Sequence, residues 1–380
     1  MPRYKFADIA YNITDKKMPE PGDEELYIGL EHLDSGKLNV TRWGSPVELT
    51  GQKLVMKKGD VLFGRRNTYL RRAAIAPHDG IFSAHGMILR PKTEVIDPDY
   101  FPFFISSDYF MNAAIRISVG SLSPTVNWKT LKELEFDIPD LVQQRKSADL
   151  LTVANEAKEA YERLLIKTDE LVKSQFIELF GDPVDNERRY PVYQLSEIAT
   201  SRLGKMLDKK KQTGLYQRKY LANVNVQWFR FDLNDLNMMD FNEADQKEFS
   251  LRNGDLLVCE GGEIGRCAVW HEEVADCYFQ KAIHRVRCNP EKILPEYLAH
   301  SFFYHSQKNG FADVVSSKAT IAHLPGDKLK AMGVIVPPLE LQQQFAAFAE
   351  QSDKSKFEIK KSIEAVQELI RSIQQQDFSN

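Results

Sequence analysis

The stretch KKGDVLFGRRN at 57–67 has an echo in RNGDLLVCEGG at 252–262. Each sets a polar lead before Gly-Asp, follows it with an apolar run, and ends on glycine amid charge. Asp60 and Asp255 lie 195 positions apart, and the echo continues outward from them. YIGLEHLDSGKLNVTRW from Tyr27 parallels YLANVNVQWFRFDLND from Tyr220, and RRAAIAPHDGIFSAHGMILRP parallels GRCAVWHEEVADCYFQKAIHRVRC. DPDYFPFFISSDYF around Tyr100 parallels LPEYLAHSFFYHS around Tyr297. SLSPTVN at Ser121 faces SSKATIA at Ser316, and IPDLVQQ faces PPLELQQ. Six blocks keep one order while their offsets drift only between 193 and 198, so the chain is a tandem duplication.

Its 380 residues, 43% hydrophobic and 27% charged, suit a soluble chain of two domains, each able to bury a core. No run of about 18 apolar residues is present, so no membrane span is expected. MPRYKFADIAYNITDKK lacks an apolar signal core, which points to a cytoplasmic setting. Cys259, Cys267, Cys277 and Cys288 match neither a zinc spacing nor a disulfide framework and read as reduced thiols. The net charge of −4 does not announce nucleic acid, so any DNA contact must rest on local basic clusters.

Within each copy, short β-rich runs (Leu54–Phe63, Ala73–Ala76 and Ile81–Leu89; then Leu256–Cys259, Cys267–Trp270 and Tyr278–Cys288) alternate with turn residues. Short helices are expected at Asp99–Ala114 and Pro295–Gln307. Each copy then closes on one long helix. The first runs from about Leu141 to Leu179, with Leu150, Ala154, Ala157, Tyr161, Leu164, Thr168, Leu171 and Gln175 stepping by three and four. Leu151, Leu165, Val172 and Phe176 widen that stripe, and Gly181-Asp182-Pro183 stops the helix. The second runs from about Leu339 to Gln376 through Leu341, Phe345, Phe348, Ser352, Ile359, Ile363, Val366, Ile370 and Ile373, and turns polar at Ser352–Ser355. Helices of about 38 residues are rods of roughly 57 Å, and their near-heptad seams suit a coiled-coil pair. The alternative is two amphipathic helices, each lying on its own domain.

The order of YIGLEHLD, GDVLFGRRN, GSLSPTVNWKTLKELEFDIP, KSQFIELFGDP, GKMLDKK, YLANVNVQW, GDLLVCEGGEIGRCAVW and VPPLELQQQF resembles the specificity subunit of type I restriction–modification systems. The resemblance spans nearly the whole chain. It implies an α+β fold with a pseudo-twofold internal repeat: two mixed α/β target recognition domains, 1–140 and 183–337, joined by two long antiparallel helices, 141–182 and 338–380. It also implies a non-catalytic protein that directs partners onto double-stranded DNA. Those partners are two methyltransferase subunits and, in the restriction form, translocase–nuclease subunits. S-adenosylmethionine, ATP and Mg would belong to the partners, with no cofactor in this chain. Asp140 stands where the second copy has Pro338, and SSKAT replaces SLSPT, which blurs the motifs without breaking their order.

The residues themselves nominate contacts. Arg65, Arg66, Arg71 and Arg72 surround Asn67 and Tyr69; arginine forks suit guanine edges and phosphates, and asparagine suits adenine. Lys205, Lys209, Lys210 and Lys211 could grip phosphates. Asn223, Asn225 and Gln227, if extended, would put amides on one face toward adenine. The paired glycines of CEGGEIGR would aim Glu263 or Arg266 at DNA, and Gln280 is a possible reader. Ser121, Ser123, Thr125, Ser317, Lys318 and Thr320 offer hydroxyl, amine and backbone groups to phosphate. Each cluster also has a bland reading as a solvated hairpin, an edge strand or ordinary turn chemistry. His284 reads as structural.

No GxxxxGK[ST] phosphate loop occurs, and Val336 stands where an amino-methyl transfer motif needs an amide or acid. Asp140 with Glu156 and Lys158 matches a PD…ExK nuclease in letters only, because the last two fall on a helix some 24 Å along. The competing reading is an adaptor that binds proteins without reading DNA; it leaves the arginine- and amide-rich loops unexplained.

Overall fold

A computed structural model describes residues 1–208, 212–308, 310–311 and 323–378. It explains why Gly-Asp is written twice. Gly59 (φ 89°) and Gly254 (φ 83°) each take the left-handed corner of a turn that feeds a strand. Asp60, 3% exposed, accepts the Lys57 N–H at 2.8 Å and the Arg90 guanidinium at 2.7 and 2.9 Å. Asp255, 2% exposed, accepts the Arg252 N–H at 2.8 Å and the Arg287 guanidinium at 2.6 and 3.1 Å. One carboxylate thus closes the turn and ties it to the neighbouring strand in each copy. Because nothing lies within 4 Å of a Cβ added at Gly254, Gly254→Ala should cost only backbone strain. The expected loss is about 1 kcal/mol, read as a lowered denaturant midpoint with an unchanged slope.

The chain divides into two units. The first is Met1–Arg163 with Ile359–Asn380, and the second is Leu164–Glu358. In the first, an antiparallel sheet runs Ala10–Ile13, Met87–Pro91, Val61–Phe63, Ala73–Ile75. In the second, Ala199–Leu203, Ile283–Cys288, Leu256–Cys259, Cys267–Val269 repeat that order. Each unit also has a two-stranded ribbon, Arg3–Lys5 with Glu135–Asp137 and Val192–Gln194 with Gly333–Ile335. The copies diverge in their remaining sheet. Tyr27–Ile28 is an edge strand in the first, whereas Gln217–Leu221 is flanked in the second by an added partner, Asn237–Asp240.

The sequence runs its strands together where the fold breaks them. Leu54–Phe63 becomes Lys53–Met56 and Val61–Phe63, because the Gly-Asp turn intervenes. Asp99–Ala114 becomes Phe101–Ser106 and Asp108–Arg116, because Ser107 leaves the helix to cap the next one through its hydroxyl, which accepts the Phe110 N–H. Pro295–Gln307 is helical as expected.

The long helices are Leu141–Phe180 and Leu339–Phe378, each 40 residues or about 60 Å. Asp140 caps the first by accepting the Gln143 N–H, which gives the supposed nuclease aspartate a structural task. Gln144 and Gln342, both fully buried, repeat one device. Each amide donates to a proline carbonyl just before its helix (Pro139, Pro337) and to a loop carbonyl (Val95, Lys292), and accepts a loop N–H. Within the first unit, Ser147 and Gln143 on one helix hydrogen-bond Asp377 on the other. Within the second, Asp169 meets Lys356, and Phe176 and Phe180 meet Phe345. In the second unit rising numbers on one helix face falling numbers on the other, so the pairing there is antiparallel, and in the first unit the start of one helix meets the end of the other. Two helices lying separately are excluded.

The stripe on the first helix is rotated by about one residue from the expected one. Leu151, Ala154, Val172, Phe176 and Phe180 are buried, whereas Leu150, Leu164 and Leu171 are exposed. Apolar residues wrap well over half of this helix, and the aromatic side chains settle which side faces inward. The first unit's core gathers Phe6, Phe63, Phe104, Phe110 and Phe136, with Ile370, Ile373 and Phe378 of the second helix packed against it.

Candidate nucleic-acid interface

Two sequence-nominated loops converge in the first unit. Gly64 N–H donates to the Arg72 carbonyl at 2.8 Å, closing the loop 65–71, and an added Cβ at Gly64 would stand 3.0 Å from that of Arg72. Within it, Asn67 (φ 55°) and Arg71 (φ 50°) bracket a 3-10 turn at Thr68–Leu70, and buried Thr68 bonds back to the Arg65 carbonyl. The serine-rich loop docks alongside. Val126 N–H donates to Arg65 O at 2.9 Å, Asn67 N–H to Pro124 O at 2.7 Å, and Arg66 Nη2 to Ser123 Oγ at 3.4 Å. GRRNTYLRR and SLSPT, more than fifty residues apart, therefore form one surface feature.

That feature presents only part of the nominated set outward. Arg66 and Ser121 are exposed, Tyr69 is 57% exposed, and Arg65, Asn67, Ser123 and Thr125 are half-buried. Arg71 is held by Asp108 and by Asn112 at 3.1 Å, and Arg72 by the Leu30 carbonyl at 2.8 Å. Leu122, which a search for polar groups passes over, stands at the tip and is 95% exposed.

The second unit spends more of its nominated residues internally. Asn223–Asn225 forms a 3-10 turn rather than an extended strand. Asn225 is buried, with Oδ1 accepting the Ala222 N–H and Nδ2 donating to Asp232 and Asp235 carbonyls. Asparagine competes with strand pairing through such local bonds, which the spacing alone does not reveal. Asn223 and Arg266 bind each other at 3.0 Å, and Gln227 bonds the Val224 carbonyl. Glu263 accepts the Trp228 indole N–H, with its side chain 47% exposed. Lys205 is paired with Asp245 at 2.6 Å, and Gln280 is half-buried opposite Lys205. His284 bonds the Leu324 carbonyl at 3.0 Å and is structural. Lys209, Lys210, Lys211, Ser317, Lys318 and Thr320 lie outside the described residues.

Nothing in the sequence points to Asp240, the electrostatic hub beneath Lys205. Burial opposes its ionisation, but donors from Thr213, Gln217 and Gly214 outweigh that and hold its carboxyl well below the usual range. Its carboxylate orders the segment that follows the lysine run. Burial raises the thiols of Cys259, Cys267, Cys277 and Cys288, which suits packing rather than nucleophilic attack. Among the described residues, no three His, Cys, Asp or Glu side chains converge as metal ligands, and no helix is long and apolar enough to cross a membrane.

A further divergence lies where a turn meets the helices. Gly36 (φ 71°) offers its carbonyl to Lys158 Nζ at 2.9 Å in the first unit. The corresponding Phe229 keeps the left-handed backbone (φ 61°) and stacks its ring on His300, with centroids 4.1 Å apart.

Residues 26–165 and 188–368 match the family model described as the type I restriction modification DNA specificity domain. A putative type I restriction enzyme specificity subunit of Haemophilus influenzae is 32% identical over 108 residues, covering 28% of this chain and 26% of that protein. The HindI specificity subunit of that organism is 22% identical over 187 residues, covering 47% of this chain and 40% of that protein. The matched stretches thus span less than half of these curated relatives. The crystallised type I restriction–modification S subunit of M. genitalium superposes with a TM-score of 0.60 at 13% identity, over 99% of this chain and 96% of that one. A chain from work on assembly and conformational transition of the type I R-M system gives 0.59 at 16% identity, over 99% and 97%. At these identities the two structures establish the fold. Since both copies are matched over most of their length, the chain belongs to the type I restriction modification DNA specificity family, as a tandem of two specificity domains.

Proposed function

We propose that this chain reads a bipartite double-stranded DNA target as a non-catalytic specificity subunit and directs methyltransferase subunits, with translocase–nuclease subunits in a restriction form, to it. The observation that carries this reading is the tandem match to a DNA specificity family, with one duplicated α/β unit available for each half of a target. In the first unit, the joined loops present Arg66, Tyr69 and Ser121 together, a mixture suited to phosphate grip and base-edge contact. Divergence between the copies, as in the added strand Asn237–Asp240, supports reading two different half-sites. Adenine methylation would be done by the partner, which must flip the base from the stack; S-adenosylmethionine, ATP and Mg would be held there.

Comparing the methylome of cells with and without this gene tests the reading. A bipartite adenine motif that vanishes with the gene is expected; an unchanged methylome would leave the DNA-reading role without support. A second expectation concerns spacing. Deleting one heptad from each long helix removes roughly 10 Å of rod, about three base pairs, so the gap should shorten while both half-sites persist. Altered half-sites at constant spacing would contradict the helices' role as a ruler.

A further inference from the structure

We infer that Leu122 is a wedge that enters the base stack of the bound duplex within the half-site read by the first unit. The inference rests on the DNA-reading role proposed above and adds a positioning residue to it. Leu122 is the most exposed large apolar side chain among the described residues, at 95%. Its loop is nevertheless anchored. Val119 and Thr125 exchange both backbone hydrogen bonds, at 3.1 and 2.9 Å, beneath the tip. Val126 and Asn67 tie the stem to the arginine loop, and Thr125 Oγ1 donates to the Ser123 carbonyl at 2.9 Å. Gly120 (φ 113°) makes the corner on one side and Pro124 follows on the other. A leucine held out on a fixed stem gains nothing for the fold, and its chain neighbours at the tip are serines. The other exposed apolar side chains of the feature, Val119, Tyr69 and Leu70, are placed on the stem and on the docked arginine loop. Ser121 and Ser123 flank Leu122, and the exposed Arg66 reaches Ser123 Oγ at 3.4 Å. A protein-binding patch needs contiguous apolar area at its core, whereas an intercalating side chain needs one apolar tip between groups that hold the phosphates on either side. Unstacking one step also lowers the work of extracting a nearby base, which the partner's chemistry requires.

The test uses the complex of the full chain with its methyltransferase subunits, on the target duplex identified from the methylome. 2-Aminopurine is placed at successive positions through the first half-site, away from the methylated adenine. The wild-type complex should raise fluorescence several-fold at one step. Leu122→Ser should abolish that rise and weaken binding about tenfold, and Leu122→Met should restore both. Because the side chain is solvated, Leu122→Ser should leave the melting temperature unchanged. A Leu122→Ser complex that keeps the same fluorescence profile overturns the wedge while leaving DNA reading intact. Loss of methyltransferase assembly in that variant, with the fluorescence pattern retained in the residual complex, overturns it in favour of a protein contact. A wild-type complex that ignores the duplex overturns the DNA-reading role as well.

Discussion

Replacing Phe176 with alanine is expected to destabilise the second unit by about 3–5 kcal/mol, the range for deleting a fully buried aromatic ring. Phe176 has no exposed surface and is where three helices meet. Its ring lies 4.9 Å from Phe180 on its own helix, 5.3 Å from Phe345 on the second long helix, and 5.7 and 4.8 Å from Tyr297 and Tyr304 on Pro295–Gln307. Leucine would keep much of the volume and should cost less than half as much as alanine. Hydrogen exchange locates the effect: amides of Pro295–Gln307 and of the first turns of the second long helix should lose protection, while the Met87–Pro91 strand of the first unit keeps its own. Equal loss of protection in both units would mean that Phe176 acts on a single cooperative core rather than on the second unit.

Much of this packing was legible from the residues, and the failures have identifiable causes. The duplication was readable because Gly59-Asp60 and Gly254-Asp255 obey a local rule that tolerates little substitution: a left-handed corner followed by a carboxylate that closes it. The C-terminal end of the first helix was readable from Gly181-Asp182-Pro183. The cap at its start was not, since Asp140 stands out in the sequence only as a departure from the second copy's Pro338 and as a letter of a nuclease pattern. The inward face of the first helix was not readable either, because Leu150 and Leu151 are equally apolar and only the aromatic contacts of Phe176 and Phe180 choose between them. The nominated site fared unevenly for one reason. Asn225 and Arg266 are as able to satisfy nearby backbone and side-chain groups as they are to meet a ligand. Whether they turn inward depends on Asp232, Asp235 and Asn223, which spacing does not place beside them. Leu122 escaped notice for the opposite reason, since an apolar letter in a loop reads as buried until the fold shows it at a tip.

Acid should weaken the second unit well before it weakens an ordinary fold, and His300 is the main cause. Its imidazole is about nine-tenths buried, stacked on Phe229 and set edge-on to Phe345 at 4.9 Å, and its Nδ1 has no partner. Burial, and then the charge of Lys356, push its pKa down to about 3. The unfolded chain binds a proton near pH 6.5, so below that pH protonation favours unfolding, and the loss grows until the pH approaches 3. At about 1.4 kcal/mol per pH unit, roughly 2 kcal/mol should be gone by pH 5. His284 and His305, whose pKa values burial also lowers, act in the same direction. Asp240 does not confuse this window, because its depressed pKa costs stability only below the ordinary carboxylate range. The first copy carries Phe103 at the corresponding position, which supplies the control. His300→Phe should leave stability near pH 7.5 within about 1 kcal/mol of the parent, keep the aromatic stack, and remove most of the fall between pH 6.5 and 5. Urea midpoints at the two ends of that range decide it. A variant that loses as much stability as the parent would assign the acid sensitivity to other groups.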